Sequence, residues 1–347
     1  MTAAARDHHQ SRQPAADQPA EAVLLLSAAD LRGLLTPGDC RAALAQAYAA
    51  LHEDRASAGQ SVGFRAAAGS FHVKAALLPG TRAVFAAKIN ANFPGNPAAT
   101  GRPTIQGLVL VASATDGRPL AILDSAELTA LRTAAATALA ATHGARPDSA
   151  TALVVGCGRQ APYQVEALCA VLPLRHLLLR DIEPARAERL ARLLAPRLRC
   201  DIVPEGGLAA AALQSDVIVA ATTATAPYLT ADMVRPGSFV AAIGADSAQK
   251  HEVAPGLLAA SRTIVDDLEQ CAAGGDLAHA IRAGAMQPGA VIADLAALAA
   301  GAARARLADS DIVVFDSTGS GVQDVAVAAA AHAQASARGV GWRFAFA

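Results

Sequence analysis

The chain has 347 residues, 53% of them hydrophobic and 17% charged, with a formal net charge of -1. That length exceeds what one core usually serves, so two domains are expected, and the balanced charge excludes a polyanion-binding protein such as a nucleic-acid binder. Cys40, Cys157, Cys169, Cys200 and Cys271 are scattered without a CxxC pair, so neither a disulfide framework nor a structural zinc site is expected, and no metal is assigned.

The first 20 residues, "MTAAARDHHQSRQPAADQPA", are polar and lack an apolar run. They read as a disordered tail and not as a signal peptide. No apolar run approaches the ~20 residues that span a bilayer, so neither a membrane nor a nucleic-acid partner is expected and the compartment is taken as the cytoplasm. Residues 21–58 carry Leu and Ala at helical spacing, and "TPGDC" (36–40) supplies a helix start. Strands are expected at 61–67, 71–78, 83–90, 105–112 and 119–123, with a long loop over 90–103 and a helix from about Asp124 to His143.

Within that first part, "GSFHVKAALLPG" (69–80) alternates Phe71, Val73, Ala75 and Leu77 with His72, Lys74 and Ala76, so His72 and Lys74 share a strand face. In "AVFAAKIN" the face of Lys88 also carries Ala86 and Asn90. A lone strand lysine reaches water along an open edge. Three cations on neighbouring strands, Arg65, Lys74 and Lys88, point instead to a carboxylate site. Arg132, in the first turns of "LTALRTAAATALAA", has on pattern alone the look of a surface arginine.

From Thr151 the rhythm changes. "TALVVG", "LRHLLLRD", "LRCDIVPE", "SDVIVAATT", "GSFVAAIG", "SRTIVDD" and "DIVVFDST" are strands separated by helical segments, which predicts a doubly wound parallel sheet. "ALVVGCGRQA" places Gly156 and Gly158 directly after the first of these strands and Ala161 in the helix that follows, the spacing of a dinucleotide turn. Asp181 ends the next strand, where an acid meets ribose hydroxyls and favours NAD, while the adjacent Arg180 is the residue that would suit NADP. Asp246 and Lys250 follow "GSFVAAIG", at the carboxyl edge where such sheets hold ligands. "FDSTGSG" follows the last of these strands, and 321–339 is a long amphipathic helix.

"KINANFPGNP", "GRPTIQGLVLVASATDGRPLAILDSAELTALRTAA", "VVGCGRQA", "IGADSAQKHE" and "FDSTGSGVQDVA" together resemble the ornithine cyclodeaminase/mu-crystallin family. The resemblance implies a Rossmann cofactor domain over 144–319, inserted in an α+β substrate and dimerisation domain built from 21–143 and 320–347, and a homodimer. It implies that Arg65, Lys88 and Arg132 hold a substrate α-carboxylate, that Asp246 is the acid/base group with Lys88 beside it at the catalytic centre, and that Gly319 closes the pocket. Thr104, Arg132, Thr133, Gly156, Gly158, Arg159, Gln160, Asp181, Thr222, Gly244, Lys250 and Thr318 are implied as cofactor neighbours. The implied chemistry is hydride transfer between nicotinamide and the α-carbon of a small amino or imino acid.

Members acting on ornithine carry a glutamate for the distal ammonium where this chain has Ala76, with the cations Lys74 and His72 nearby. A second carboxylate suits those cations better, so reduction of iminosuccinate to aspartate is the leading expectation. Alanine dehydrogenase, ornithine cyclodeaminase, pyrroline- or piperideine-2-carboxylate reductase, a synthase joining two amino acids through an imine, and a crystallin-like NAD(P)-binding protein are the alternatives.

Overall fold

The computed structural model describes residues 22–80 and 83–345; the tail expected over residues 1–20 lies outside the described residues. Six strands come first: β1 Val23–Leu26, β2 Gln60–Ala66, β3 Gly69–Leu78, β4 Val84–Asn92, β5 Ile105–Ser113 and β6 Pro119–Asp124. Eight follow after the helix Ser125–Gly144: β7 Thr151–Val155, β8 His176–Arg180, β9 Asp201–Pro204, β10 Val217–Ala220, β11 Phe239–Ala242, β12 Arg262–Val265, β13 Ala293–Asp294 and β14 Val313–Asp316. The helix Gly321–Arg338 and a last strand, β15 Trp342–Phe344, end the described chain.

The first sheet has the order β15-β1-β6-β5-β4-β3-β2. Its long strands pair antiparallel, so the alternation seen in the sequence becomes two faces. Val84, Ala86 and Lys88 are buried on one face, against the helices Ser125–Gly144 and Gly321–Arg338. The 125–144 helix is buried nearly all round, including every residue from Ala134 to Ala141. Its alanines let it pack closely on the helices Pro37–His52 and Gln160–Cys169 as well as on Gly321–Arg338, and so it joins the two sheets.

Two elements differ from the sequence reading. Val23–Leu26, expected within a helical region, is a strand running parallel to β6 and antiparallel to β15. A short continuous apolar run has no period to separate helix from strand, and the pairing with distant strands decides it. The stretch after the last helix is likewise a strand, β15, which turns back at Gly339 in the left-handed region (φ 67°). The 90–103 loop is shorter than expected, because β4 runs to Asn92 and a helix forms at Asn96–Thr100. The expected helix start in "TPGDC" is present, Thr36 forming a reciprocal capping box with Asp39, and the structure adds a second box of Ser27 with Asp30.

The second sheet is wholly parallel, in the order β13-β12-β14-β11-β10-β7-β8-β9. Successive strands are added outward in opposite directions from β7 and β10, which makes the gap between them the switch point of a doubly wound sheet. Val155, Ala220, Ala242, Asp316 and Val265 are in register across five strands. The loops that begin at Gly156, Ala221, Ile243, Asp266 and Ser317 therefore line one carboxyl edge. Among the described residues no helix is long and apolar enough to cross a membrane.

Candidate active site

Register places the basic side chains of the first sheet. Lys74 pairs with Lys88 across β3 and β4, His72 with Asn90, and Ser70 with Asn92. On the other side Arg65 pairs with Ser70. All of these project to the face that meets the helices, in rows two residues apart.

Lys88 is 4% exposed. Its Nζ donates to Asp324 Oδ1 at 2.8 Å and to Thr129 Oγ1 at 3.3 Å. Arg132 is buried, contrary to its surface look in the sequence, and its Nε lies 3.3 Å from the same Asp324 oxygen while Nη1 donates to Gln323 Oε1 at 2.7 Å. Lys74 Nζ donates to the backbone carbonyls of Thr318 and Gly319. Three cations thus lie around Asp324, and the charges of Asp266 and Asp246 also reach Lys74. Burial pushes Lys88 down to about 7 against the pull of Asp324, with Arg132 and Lys74 adding to the fall. Burial and then Arg132 lower Lys74. Burial alone would raise Asp324, but Lys88 and Arg132 outweigh it and hold its carboxyl below the usual range. An anion placed against Lys88 would favour its charged form and oppose the burial that lowers it.

Asp324 and Gln323 were missed by the sequence reading, although "GSGVQDVA" was quoted. An acid in the first turn of a helix is ordinarily explained by the helix dipole. The available signal was that this acid sits in an otherwise apolar segment. Asp266 was missed too. Its buried carboxylate accepts from Gly319 N (2.7 Å), Thr318 N (3.3 Å), Ser317 Oγ (2.8 Å) and Gln323 Nε2 (2.9 Å), which fixes the turn after β14. Gly319 has φ 76°, and a Cβ there would stand 2.3 Å from Arg132 Nη1. The guanidinium therefore lies flat against the glycine backbone, which accounts for the glycine twice over.

Arg65 is exposed and lies two rows from Lys88 on the same face. His72 Nε2 is 2.9 Å from Ser70 Oγ, and the Oδ1 atoms of Asn90 and Asn92 are buried without a protein partner. Asp246, beyond β11, is half exposed and accepts from Lys250 Nζ at 2.6 Å. It is near enough for its charge to act on Lys74. Lys250 is thereby committed to Asp246 in this arrangement.

On the parallel sheet, Gly156 has φ 95°, and a Cβ there would be 2.5 Å from Ala221 O. A Cβ on Gly158 would meet nothing within 4 Å. The first glycine is required by the fold, whereas the second leaves open space at a helix N-terminus, the cradle that a diphosphate fills. Gln160 opens the helix, and Ala161 is fully buried. Asp181 is buried, its oxygens accepting from Cys157 N (2.8 Å) and Glu183 N (2.9 Å). A cleft of about 440 Å³ runs past Gly156, Gly158, Asp181, Ile182 and Thr222 to Tyr228.

Glu252 ties two of these loops together, accepting from Thr222 N (2.6 Å) and Oγ1 (2.7 Å) and from Gly244 N (2.7 Å). Thr133 and Thr318 are buried beside Arg132 and Gly319 in sequence. Arg159 extends from the glycine turn to within 3.5 Å of Glu127 on the 125–144 helix. Thr104 stands apart from the glycine turn in the chain, just before β5, where its carbonyl accepts from Phe93 N.

A buried cluster of cations on Asp324 thus lies on one sheet and a glycine turn with open space at a helix N-terminus on the other, linked by one helix. Comparison with known proteins fits this arrangement. An archaeal alanine dehydrogenase, solved as a dimer with bound NAD, is 30% identical and superposes with a TM-score of 0.88, over 94% of this chain and 99% of that one. The Δ1-pyrroline-2-carboxylate reductase of Thermococcus litoralis, solved with NADH and L-proline, is 27% identical with a TM-score of 0.87, over 92% and 99%. The iminosuccinate reductase of Paracoccus denitrificans, solved with NAD+, is 26% identical with a TM-score of 0.85, over 94% and 100%. The model of the ornithine cyclodeaminase/mu-crystallin family matches residues 28–339, and the chain belongs to that family.

Proposed function

We propose that the protein is an NAD-dependent oxidoreductase that moves hydride between nicotinamide and the α-carbon of a small 2-amino or 2-imino acid. The observation that carries this is the group Lys74, Lys88 and Arg132, with Lys88 and Arg132 buried on Asp324 and Lys74 half-buried against the turn that Asp266 holds. Two buried cations that share one carboxylate suit an α-carboxylate. NAD bound along the 156–222 cleft supplies the hydride acceptor or donor. Gly158 leaves room for its diphosphate, Asp181 favours an unphosphorylated ribose, and Thr222 and Gly244 border the path towards the substrate. The three relatives were solved with NAD, NADH and NAD+ bound, which supports this cofactor.

Lys88 and Arg132 orient the α-carbon through its carboxylate, which is mainly a gain of proximity and alignment. Gly319 lets Arg132 lie close and closes the pocket. Asp246, drawn towards Lys250, exchanges the proton of the nitrogen or of an attacking water. Residues 21–143 with 320–347 would then form the substrate part, and 144–319 the cofactor part.

For the substrate side chain, the rows beyond Lys88 offer His72, Asn90 and the exposed Arg65, with no carboxylate for an ammonium. Ala76 is buried at the position that would have supplied one. Lys74, expected to read the side chain, pairs with Lys88 across the strands and donates to the Thr318 and Gly319 carbonyls, which supports assigning it to the α-carboxylate end. This leaves Arg65 and His72 for a second carboxylate, and iminosuccinate, giving aspartate, is the substrate we favour. NADH oxidation with ammonia and either oxaloacetate or pyruvate, alongside cyclic imines, tests both levels. Turnover with oxaloacetate, with Arg65→Gln raising its KM more than that for pyruvate, is expected. Conversion of ornithine to proline without net NADH change would overturn the proposal, and faster turnover of pyruvate would overturn the dicarboxylate.

The outer face of the first sheet supports a homodimer. Phe64 opposes Phe71, and Ile89 opposes Leu108, and all four are exposed. A contiguous apolar patch of this kind marks an interface. Light scattering should give a dimer for the wild type and a monomer for Ile89→Asp; a wild-type monomer would refute it.

A further inference from the structure

The 125–144 helix carries one more buried charge, which neither the carboxylate grip nor the glycine turn accounts for. The side chain of Glu127 is 1% exposed. Its Oε1 accepts from Tyr163 Oη at 2.7 Å and lies 3.4 Å from Arg32 Nε. Its Oε2 lies 3.5 Å from Arg159 Nη2. Both arginines are more than half exposed, so each meets Glu127 at one end and solvent along much of its length, and Arg32 Nε also donates to Ala28 O at 3.2 Å. Burial pushes the Tyr163 phenol up to about 12, so it remains a donor to Glu127 at neutral pH. Tyr163 and Arg159 belong to the segment that starts the cofactor helix, whereas Glu127 lies five residues before Arg132 on the helix that grips the substrate.

We infer that Glu127 is a positioning residue for the cofactor: it holds the guanidinium of Arg159, the residue that follows Gly158, at the start of the helix where the diphosphate is to lie. This rests on the reading of the glycine turn given above. An exposed arginine samples many rotamers, and their loss on binding weakens affinity. One carboxylate contact removes much of that loss beforehand while leaving donors of the planar fork free for phosphate. Glu127 also screens Arg32 from Arg159, which would otherwise repel each other at this spot. Because Glu127 and Arg132 share a helix, the distance between the substrate carboxylate and the cofactor diphosphate is set by one rigid element.

A double-mutant cycle on NADH affinity, read by the fluorescence of the bound nicotinamide, tests this. Arg159→Ala is expected to weaken NADH by about tenfold, the size of one charge-assisted hydrogen bond. Glu127→Gln keeps an acceptor for Tyr163 but loses the charge; it should weaken NADH by roughly threefold, less than one full ordered side chain is worth. In the Arg159→Ala background Glu127→Gln should add nothing. In steady state the loss should appear in KM for NADH and not in kcat. Unchanged or tighter NADH binding by Glu127→Gln overturns the inference, as does an equal loss with and without Arg159, which would mean a merely structural role. If Arg159→Ala itself binds NADH like the wild type, the reading of the glycine turn fails and the positioning role falls with it. Should Glu127→Gln fail to fold, Glu127→Asp, shorter by one methylene, serves in the same cycle.

Discussion

With Lys88 holding the substrate carboxylate as proposed, substrate capture is expected to depend on pH. Burial outweighs Asp324 and brings this amine from 10.5 down to about 7. A drop of that size favours the neutral amine by about 5 kcal/mol relative to water. The sign for folding follows from proton counts. Between about 7 and 10.5 the unfolded chain binds more protons at this group, so its contribution to stability is least below 7 and improves as pH rises through that window. Substrate binding runs the other way. A carboxylate about 4 Å from the amine returns about 4 kcal/mol at an effective dielectric of 20, enough to keep Lys88 charged in the complex.

The ratio kcat/KM reports the free enzyme, so above pH 7 it should fall towards tenfold per unit, about 50-fold by pH 9. Lys88→Arg remains charged throughout and should remove this fall. The assay is NADH oxidation from pH 6 to 9.5 for both proteins with one substrate, so that the ionisation of the substrate itself cancels in the comparison. A flat wild-type profile, or the same fall in Lys88→Arg, would refute the reasoning.

Asp324→Asn removes the anion shared by Lys88 and Arg132, and breaking a buried pair from one side costs about 3–5 kcal/mol. Urea unfolding should show that loss, with part of it recovered when a small carboxylate is added; a loss under 1 kcal/mol would mean the cluster is not held by charge. The two glycines of the turn should separate folding from binding. Gly156→Ala meets Ala221 O and a left-handed backbone, so thermal unfolding should come earlier by the equivalent of about 1–3 kcal/mol. Gly158→Ala meets only open space, so it should unfold like the wild type yet bind NADH more weakly; unchanged NADH affinity would argue against a diphosphate there.

Much of this was legible beforehand. Alternation in 71–78 and 83–90 put Lys74 and Lys88 on one face, because a strand has period two whatever it pairs with. The βαβ rhythm and Gly156–Gly158 identified the cofactor sheet, because the tight turn into the helix demands the first glycine and close approach of a diphosphate accounts for the second. What pattern could not supply was the counter-charge. Asp324 meets Lys88 across 236 residues of chain, and Gln323 meets Arg132 across 191. Arg132 accordingly looked like a surface residue until the C-terminal helix was packed against it. Val23–Leu26 and Trp342–Phe344 became strands only by pairing with each other and with β6. Composition and periodicity, which act over neighbouring residues, determined the elements, the cofactor turn and the basic face. The tertiary structure alone decided which charges are buried together, because the energy of a buried ion depends on partners that the chain brings from far away.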